Sequence, residues 1–361
     1  MRKAPEISVI MSVYNGEKYI REAVKSILFQ TFWNWELIIV DDCSSDRTGV
    51  TLKLYGELDD RIRIVTNEKN LKLQASLNKA ISLARGKYIA RMDADDMALP
   101  ERLEKQYAFM EENPDTALSS CRYMTFTDGV MSSGGGGSRG DCESVKALLL
   151  VTNPILHPGV IIRNSVLREL EYDTDFTCTE DLELWSRMAK KNYKMAIQDE
   201  YLMIYRIHKK QITGTTMKKQ YEEVMKVQDK FCPEIFKTMS QTERRFYIHG
   251  IYFREEADIN GFCEFFRHVK SVNGELKIFD AEAIDYAALE ILAEYRRNGI
   301  SLGKILKAIP CFGSGFLIKE LFARKRRARA DGIKCIQAAE KIGFKYSGGN
   351  VVFPKFSKSN W

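Results

Sequence analysis

The chain has 361 residues, 45% of them hydrophobic and 29% charged, which excludes wholesale disorder, collagen-like repeats and a polytopic membrane protein. That length predicts two domains, or one large domain with an appendage. The net charge of +6 is local, because residues 301–361 hold 13 Lys and Arg against 3 Asp and Glu, whereas residues 1–215 hold 29 against 31.

Short β-rich runs alternate with amphipathic stretches through the first hundred residues. Ile7–Val13 precedes Glu17–Phe29, Glu36–Val40 precedes Asp46–Leu58, Arg61–Thr66 precedes Leu71–Ala84, and Lys87–Met92 precedes Pro100–Glu112. Repeated β-α units with right-handed crossovers predict a mainly parallel sheet with helices on both faces. Asn15-Gly16 and the run Asp41 to Asp46 punctuate the first two strands, and Arg85-Gly86 reads as the stop of the third helix. A strand over Ala117–Phe126 leads to the low-complexity stretch Ser132 to Ser138, predicted as a mobile surface loop. Beyond it the pattern predicts a helix near Glu143–Val151, a strand at Gly159–Ile162, a helix over Leu182–Lys191, and two short strands, Lys194–Ile197 and Leu202–Tyr205. From Lys218 the pattern is almost wholly helical, which divides the chain into an α/β region, 1–215, and a helical region, 216–361.

Three acidic groups invite chemistry. Asp93-Ala94-Asp95-Asp96 follows the apolar strand Lys87–Met92; strand alternation would aim Asp93 and Asp95 to one side and Asp96 away. Acids at the carboxyl end of a parallel strand stand where open α/β sheets place ligands, and oxygen ligands suit Mg²⁺ or Mn²⁺. The structural alternative is a solvated turn capping the next helix. Asp41-Asp42 ends the second strand at the same edge and offers acceptors for a base or ribose, or equally an Asx-turn. In Thr179-Glu180-Asp181, a capping box formed by Thr177 and Glu180 explains Glu180 but leaves Asp181 without a structural task. A carboxylate placed there can deprotonate a hydroxyl.

Eight cysteines, no two closer than 21 positions, exclude C-x-x-C zinc sites and predict a reduced, cytosolic protein. The apolar run Ile7 to Val13 is too short for a secretory signal, and no run of ~20 apolar residues predicts a membrane span. His157, His208, His249 and His268 lack ligand-like spacing, while Arg206 and His208 together could meet a pyrophosphate.

The ordered series Ser8 to Asn15, Ile38 to Thr48, Leu77 to Ala80, Gly86 to Asp96, Arg102 to Gln106 and Glu180-Asp181 with Trp185 resembles bacterial family 2 glycosyltransferases of the GT-A fold, which build capsule, exopolysaccharide or lipopolysaccharide. The likeness covers about residues 6–210. It implies a nucleotide-diphospho-sugar donor, UDP foremost, a Mn²⁺ or Mg²⁺ ion, inversion at the anomeric carbon, and a saccharide or polyprenyl-linked acceptor. By the same likeness Val13, Tyr14 and Glu17 line the nucleoside pocket, and Asp42 or Asp41 contacts the base. Asp93 stands near the ribose and the metal, Asp95 binds the metal, and Asp181 is the base, with Glu180 next in line. The Q-x-x-R-W motif of processive synthases is absent after Asp181, which implies addition of one sugar per acceptor.

Two other readings use the same features. A nucleotidyltransferase would need a Gly-rich phosphate loop that Tyr14-Asn15-Gly16-Glu17 does not supply. A non-catalytic scaffold would place its binding in the basic tail. Apolar residues over 305–322 and the cluster Arg324 to Arg329 fit an in-plane amphipathic segment on an anionic membrane surface, or equally a helix packed on the catalytic region with a solvated basic end, while the lack of aromatic interleaving argues against a nucleic-acid partner.

Overall fold

A computed structural model describes residues 4–133, 140–208 and 217–312, together with 334, 337–338, 345–347 and 350–352. Most of the glycine-rich stretch and the cluster Arg324 to Arg329 lie outside the described residues.

The first half of the sheet is β1 (Ile7–Val13), β2 (Trp35–Asp41), β3 (Ile62–Thr66) and β4 (Tyr88–Arg91), linked by α1 (Ile20–Leu28), α2 (Thr48–Leu58) and α3 (Lys72–Leu83). These strands pair in parallel in the order β3-β2-β1-β4. Every residue of β2 is buried, as expected of a parallel strand covered on both faces. Val9, Met11 and Ile39 pack with α1, α2 and α4 (Arg102–Glu112) on one face. Ile10, Ile38 and Ile89 pack with α3 on the other, so alternate side chains feed two separate cores.

Gly86 does not stop α3. That helix ends at Leu83, with Ala84 already extended. A Cβ on Gly86 would lie 2.5 Å from the Ser8 backbone nitrogen and 2.8 Å from the Ile7 carbonyl carbon, so this glycine permits close approach of the chain entering β4 to β1.

After β5 (Met97–Ala98) and α4, the sheet becomes mixed. β6 (Thr116–Thr127), β7 (Val130–Ser133) and β8 (Ile161–Arg163) pair antiparallel, and β8 joins them to β4. β9 (Lys194–Arg206) runs parallel to β6 and also pairs with β5. Its 13 residues replace the two short strands predicted from sequence. The polar interruption Asp199-Glu200 is a bulge, since Cys121 pairs with Gln198 and Arg122 next pairs with Tyr201. Asp199 pairs with Arg122 at 2.6 Å, and Glu200 pairs with Lys105.

Helices α5 (Cys142–Leu148), α6 (Asn164–Leu170), α7 (Glu180–Lys190) and α8 (Met217–Phe231) lead into α9 (Pro233–Phe236), α10 (Gln241–Phe246), a π-helical turn (Tyr247–Tyr252), α11 (Ile259–Leu276), α12 (Ala281–Arg297) and α13 (Leu302–Leu306). One apolar cluster joins Ile10 and Ile38 of the sheet to Leu148, Trp185, Val224, Phe236, Phe262 and Tyr295. The helical region therefore shares its core with the α/β region. β10 (Lys345–Ser347) and β11 (Asn350–Val352) extend the sheet beyond β7. Among the described residues no helix is long and apolar enough to cross a membrane.

Candidate active site

β4 ends at Arg91 and the chain turns at once, so strand alternation no longer governs Asp93 to Asp96. One carboxylate oxygen from each of Asp93, Asp95 and Asp96 lies within 4.8 Å of the others. Asp96 thus joins the cluster from which alternation excluded it. Its Oδ1 accepts from the Arg206 backbone N–H at 2.8 Å, while its buried Oδ2 has no hydrogen-bond partner. Burial first, then the charges of Asp93 and Asp95, push the Asp96 carboxyl well above its ordinary range.

Beneath the cluster lies Arg91, a charged side chain that is fully buried. Its guanidinium forks onto Asp93, with Nη1 at 2.7 Å from Oδ2 and Nη2 at 2.6 Å from Oδ1. Arg102 and Gln106, one turn apart on α4, brace the same strand end. Arg102 Nη2 donates to the carbonyl of Arg91 at 2.8 Å, and Gln106 Nε2 donates to that of Gly159 at 2.7 Å. Burial, reinforced by the charge of Arg91, pulls Arg102 down to about 10 against the opposing influence of Cys121 and Asp96.

The end of β9 closes the cluster from the other side. Arg206 Nε donates to the Asp95 carbonyl at 2.9 Å, and its guanidinium pairs with Glu22 and lies 4.8 Å above the Tyr19 ring. His208 stacks on the same ring at 4.7 Å, with Nε2 at 2.9 Å from Asp95 Oδ2. The two residues singled out for a pyrophosphate, Arg206 and His208, therefore stand beside the acids singled out for the metal.

Val13 ends β1, and Tyr14 and Glu17 lie on the loop after it, which is stitched to the loop after β2. Asn15, at φ 51°, accepts from Ser45 N–H at 2.8 Å, and Thr48 Oγ1 accepts from Gly16 N–H at 2.8 Å. Glu17 accepts from Arg47 N–H at 2.9 Å, while Tyr14 is left exposed at the rim. Asp41 accepts from Ser44 N–H at 3.0 Å. Buried Asp42 gathers the turn before α3, accepting from Asn67 Nδ2 at 2.8 Å, Leu71 N–H at 2.7 Å and Lys72 N–H at 2.9 Å.

Glu180 and Asp181 open α7. The expected capping box is not formed, because Thr177 Oγ1 donates to Glu223 of α8 at 3.3 Å and Glu180 turns inward. Glu180 accepts from Gln74 Nε2 at 3.4 Å and lies 3.7 Å from His157 Nδ1. His157 Nε2 is 2.8 Å from the Tyr172 hydroxyl. Half-buried Asp181 accepts from Asn153 Nδ2 and from Leu182 N–H, both at 2.7 Å.

These surroundings divide the protons. Burial, then the charge of Asp181, raises Glu180 to about 8, so Glu180 carries a proton at neutral pH. Burial, then Arg91, holds His157 well below its ordinary value and therefore neutral. Burial also raises Asp181, against the hydrogen bonds from Leu182 and Asn153, which favour its charged form. The charge of Arg91 reaches Asp93, Glu180 and Asp181 alike, so the metal-type cluster and the base-type pair share one field.

Sequence reasoning missed Arg91, Asn153 and Glu223. Arg91 had a local signal, a charge inside the buried run Tyr88-Ile89-Ala90-Arg91-Met92. The other two reach the site from distant segments.

Residues 8–164 match the model of Glycosyl transferase family 2. An uncharacterized glycosyltransferase of Methanocaldococcus jannaschii is 36% identical over 219 residues, which span 60% of this chain and 76% of that one. The chain belongs to glycosyl transferase family 2. This glycosyltransferase is also 34% identical over 210 residues to the O-antigen biosynthesis glycosyltransferase WbnJ of Escherichia coli, covering 56% of this chain and 80% of WbnJ. Its backbone is similar to that of S. aureus TarS 1–349 in complex with UDP-GlcNAc, with a TM-score of 0.55 at 18% identity over 81% of this chain and 92% of TarS. That likeness shows the GT-A fold of the transferase.

Proposed function

We propose that this glycosyltransferase inverts the anomeric carbon as it moves one sugar from a nucleotide-diphospho-sugar, UDP-linked, to a saccharide or polyprenyl-linked acceptor of a cell-surface polysaccharide. The observation that carries the reading is the gathering around Arg91 of two acid groups. One is a three-carboxylate cluster; the other is a carboxylate, Asp181, beside a protonated Glu180. The donor and acceptor classes draw support from TarS, solved with UDP-GlcNAc, and from WbnJ, named for O-antigen biosynthesis.

The residues fit a divalent cation. Three carboxylates supply only oxygen donors, and the buried Asp96 Oδ2 is an acceptor without a partner. Asp93 and Asp95 would hold the ion, which when bound offsets the charge of the departing diphosphate. Arg206 and His208 stand beside it to receive phosphate oxygens, exchanging their present carboxylate partners. Val13 and Tyr14, with Asp41 and Asp42 behind them, border the nucleoside side.

On the opposite side Asp181 takes the proton of the acceptor hydroxyl as that oxygen bonds to the anomeric carbon. The bond from that carbon to the diphosphate oxygen breaks, and its electron pair leaves with the nucleotide. Attack opposite the leaving group inverts the centre. Glu180 holds its own proton and takes no part in removing the acceptor's. The basic excess over residues 301–361 supports a peripheral seat on the cytoplasmic face of an anionic membrane, where lipid-linked acceptors lie.

The test is hydrolysis and transfer with UDP-glucose, UDP-GlcNAc and GDP-mannose, with and without Mn²⁺, in wild type and Asp181→Asn. The variant is expected to keep UDP binding and lose ~10²- to 10⁴-fold in transfer. Near-normal turnover in the variant rejects Asp181 as the base.

A further inference from the structure

Glu223 belongs to α8, in the helical region that the sequence sets apart from the catalytic one, yet its carboxylate is buried against the start of α7. Oε1 accepts from the Thr177 backbone N–H at 3.2 Å and from Thr177 Oγ1 at 3.3 Å. Oε2 accepts from the Cys178 backbone N–H at 2.8 Å and from Thr179 Oγ1 at 3.1 Å. One side chain thus gathers four donors from the three residues immediately before Glu180 and Asp181. Lys219, one turn earlier on α8, lies 3.7 Å away as its counter-charge.

The same helical region grips a second segment. Gln228 Nε2 donates to the Leu149 carbonyl at 2.7 Å, and the Tyr247 hydroxyl donates to that of Leu150 at 2.8 Å. Three residues further along this segment Asn153 donates to Asp181. Both backbone paths that fix the Asp181 carboxylate are therefore anchored outside the α/β region. The firmest tie at the α7 end is Glu223, because Thr179, the N-cap, makes no side-chain capping bond within its own helix.

We propose that Glu223 is a positioning residue for sugar transfer, acting through the 177–179 turn to set the Asp181 carboxylate against the acceptor hydroxyl. The inference rests on the reading of Asp181 as the base. A neutral amide at 223 would turn an NH₂ toward N–H and O–H donors and lose half of its acceptor capacity. The turn would shift with little loss of packing. A displacement of about 1 Å at a reacting group costs on the order of 10²-fold in rate, which sets the scale of the effect.

The experiment is a double-mutant cycle in the full chain, combining Glu223→Gln with Asp181→Asn. Transfer is measured with whichever of UDP-glucose, UDP-GlcNAc and GDP-mannose the wild type uses fastest, and binding is measured with UDP and Mn²⁺. Glu223→Gln is expected to lower kcat ~10- to 10²-fold with UDP affinity unchanged. The same change placed on Asp181→Asn is expected to cost little further, because the group it positions is gone. If Glu223→Gln leaves kcat unchanged, or lowers it by the same factor in both backgrounds, the residue serves stability alone and the proposal is overturned. A failure of the Asp181 reading shows separately, as near-normal kcat in Asp181→Asn alone, and removes this proposal with it. Glu223→Asp keeps the charge and supplies the comparison should the glutamine variant not fold; its kcat is expected to lie between wild type and Glu223→Gln, and wild-type kcat in it overturns the proposal.

Discussion

The Asn153 amide donates to Asp181 Oδ2 at 2.7 Å, across 28 positions of sequence. This bond favours the charged form of Asp181 in a site where burial disfavours it. Asn153→Ala should therefore raise the Asp181 pKa further. A base must be deprotonated to act, so the acidic limb of the pH profile of kcat/KM should move to higher pH. At any pH on that limb the variant should be slower than wild type, while the two converge at higher pH, where the base is ionised in both. Asn153→Asp should shift the limb further, since a second negative charge replaces a donor. A profile unmoved in both variants rules out Asn153 as the group that holds the base.

How much of this was legible in the sequence depended on chain distance. The run Asp93 to Asp96 was visible because strand and acids adjoin, yet its geometry was misjudged: alternation ends with β4 at Arg91, and the turn brings Asp96 in. Asp181 stood out because capping gave it no task, although the capping box itself is replaced by Glu223. Asn153 and Glu223 left no local signal. Glu223 meets Thr179 from 44 positions away and lies in a region whose helical pattern marked it as separate. β9 read as two strands because Asp199-Glu200 resembles a turn until a paired strand shows it to be a bulge.

Asp95→Asn tests the acid cluster. Asp95 presents one oxygen to His208 and belongs to the set within 4.8 Å, so the amide should weaken any cation site while keeping its volume. Calorimetric titration of UDP with Mn²⁺ and with EDTA is expected to show metal-enhanced affinity in wild type and nearly equal, weak affinity in the variant. Circular dichroism should stay the same, because Asp95 is half-buried and its backbone carbonyl still accepts from Arg206. Retained metal enhancement in the variant would move the site to Asp93 and Asp96.

Two glycine substitutions should act with opposite sign. Gly86→Ala puts a methyl 2.5 Å from the Ser8 nitrogen and 2.8 Å from the Tyr88 carbonyl, both backbone atoms, so relief requires moving β1 from β4. A loss of about 1–3 kcal/mol is expected, the scale of overpacking. Gly274, inside α11, has nothing within 4 Å of an added Cβ. Gly274→Ala should stabilise by about 0.5–1 kcal/mol, by removing the entropic penalty of a helical glycine. Urea denaturation of the two variants beside wild type checks both signs.

Glu180 makes stability depend on pH. The groups around it are Asp181 and Asp93, which disfavour its ionisation, Arg91, which favours it, neutral His157, and Gln74. Burial dominates and raises the folded pKa to about 8, against about 4.3 in an unfolded chain. Between those values the folded state holds a proton that the unfolded state has released, so stability falls as pH rises. The contribution is fully present below about pH 4.3 and is lost once pH passes about 8. Glu180→Gln cannot ionise and escapes this loss. Its melting temperature relative to wild type should therefore climb from pH 5 to about pH 8 and level off above that, by an amount that Asp181→Asn does not reproduce. Transfer activity of Glu180→Gln at pH 7 should stay within about 10-fold of wild type, because wild-type Glu180 is already protonated there and removes no proton from the acceptor. A loss of 10³-fold or more would assign the base to Glu180 instead, and a flat melting difference across that pH range would mean that its carboxyl titrates in the folded protein as it does in the unfolded chain.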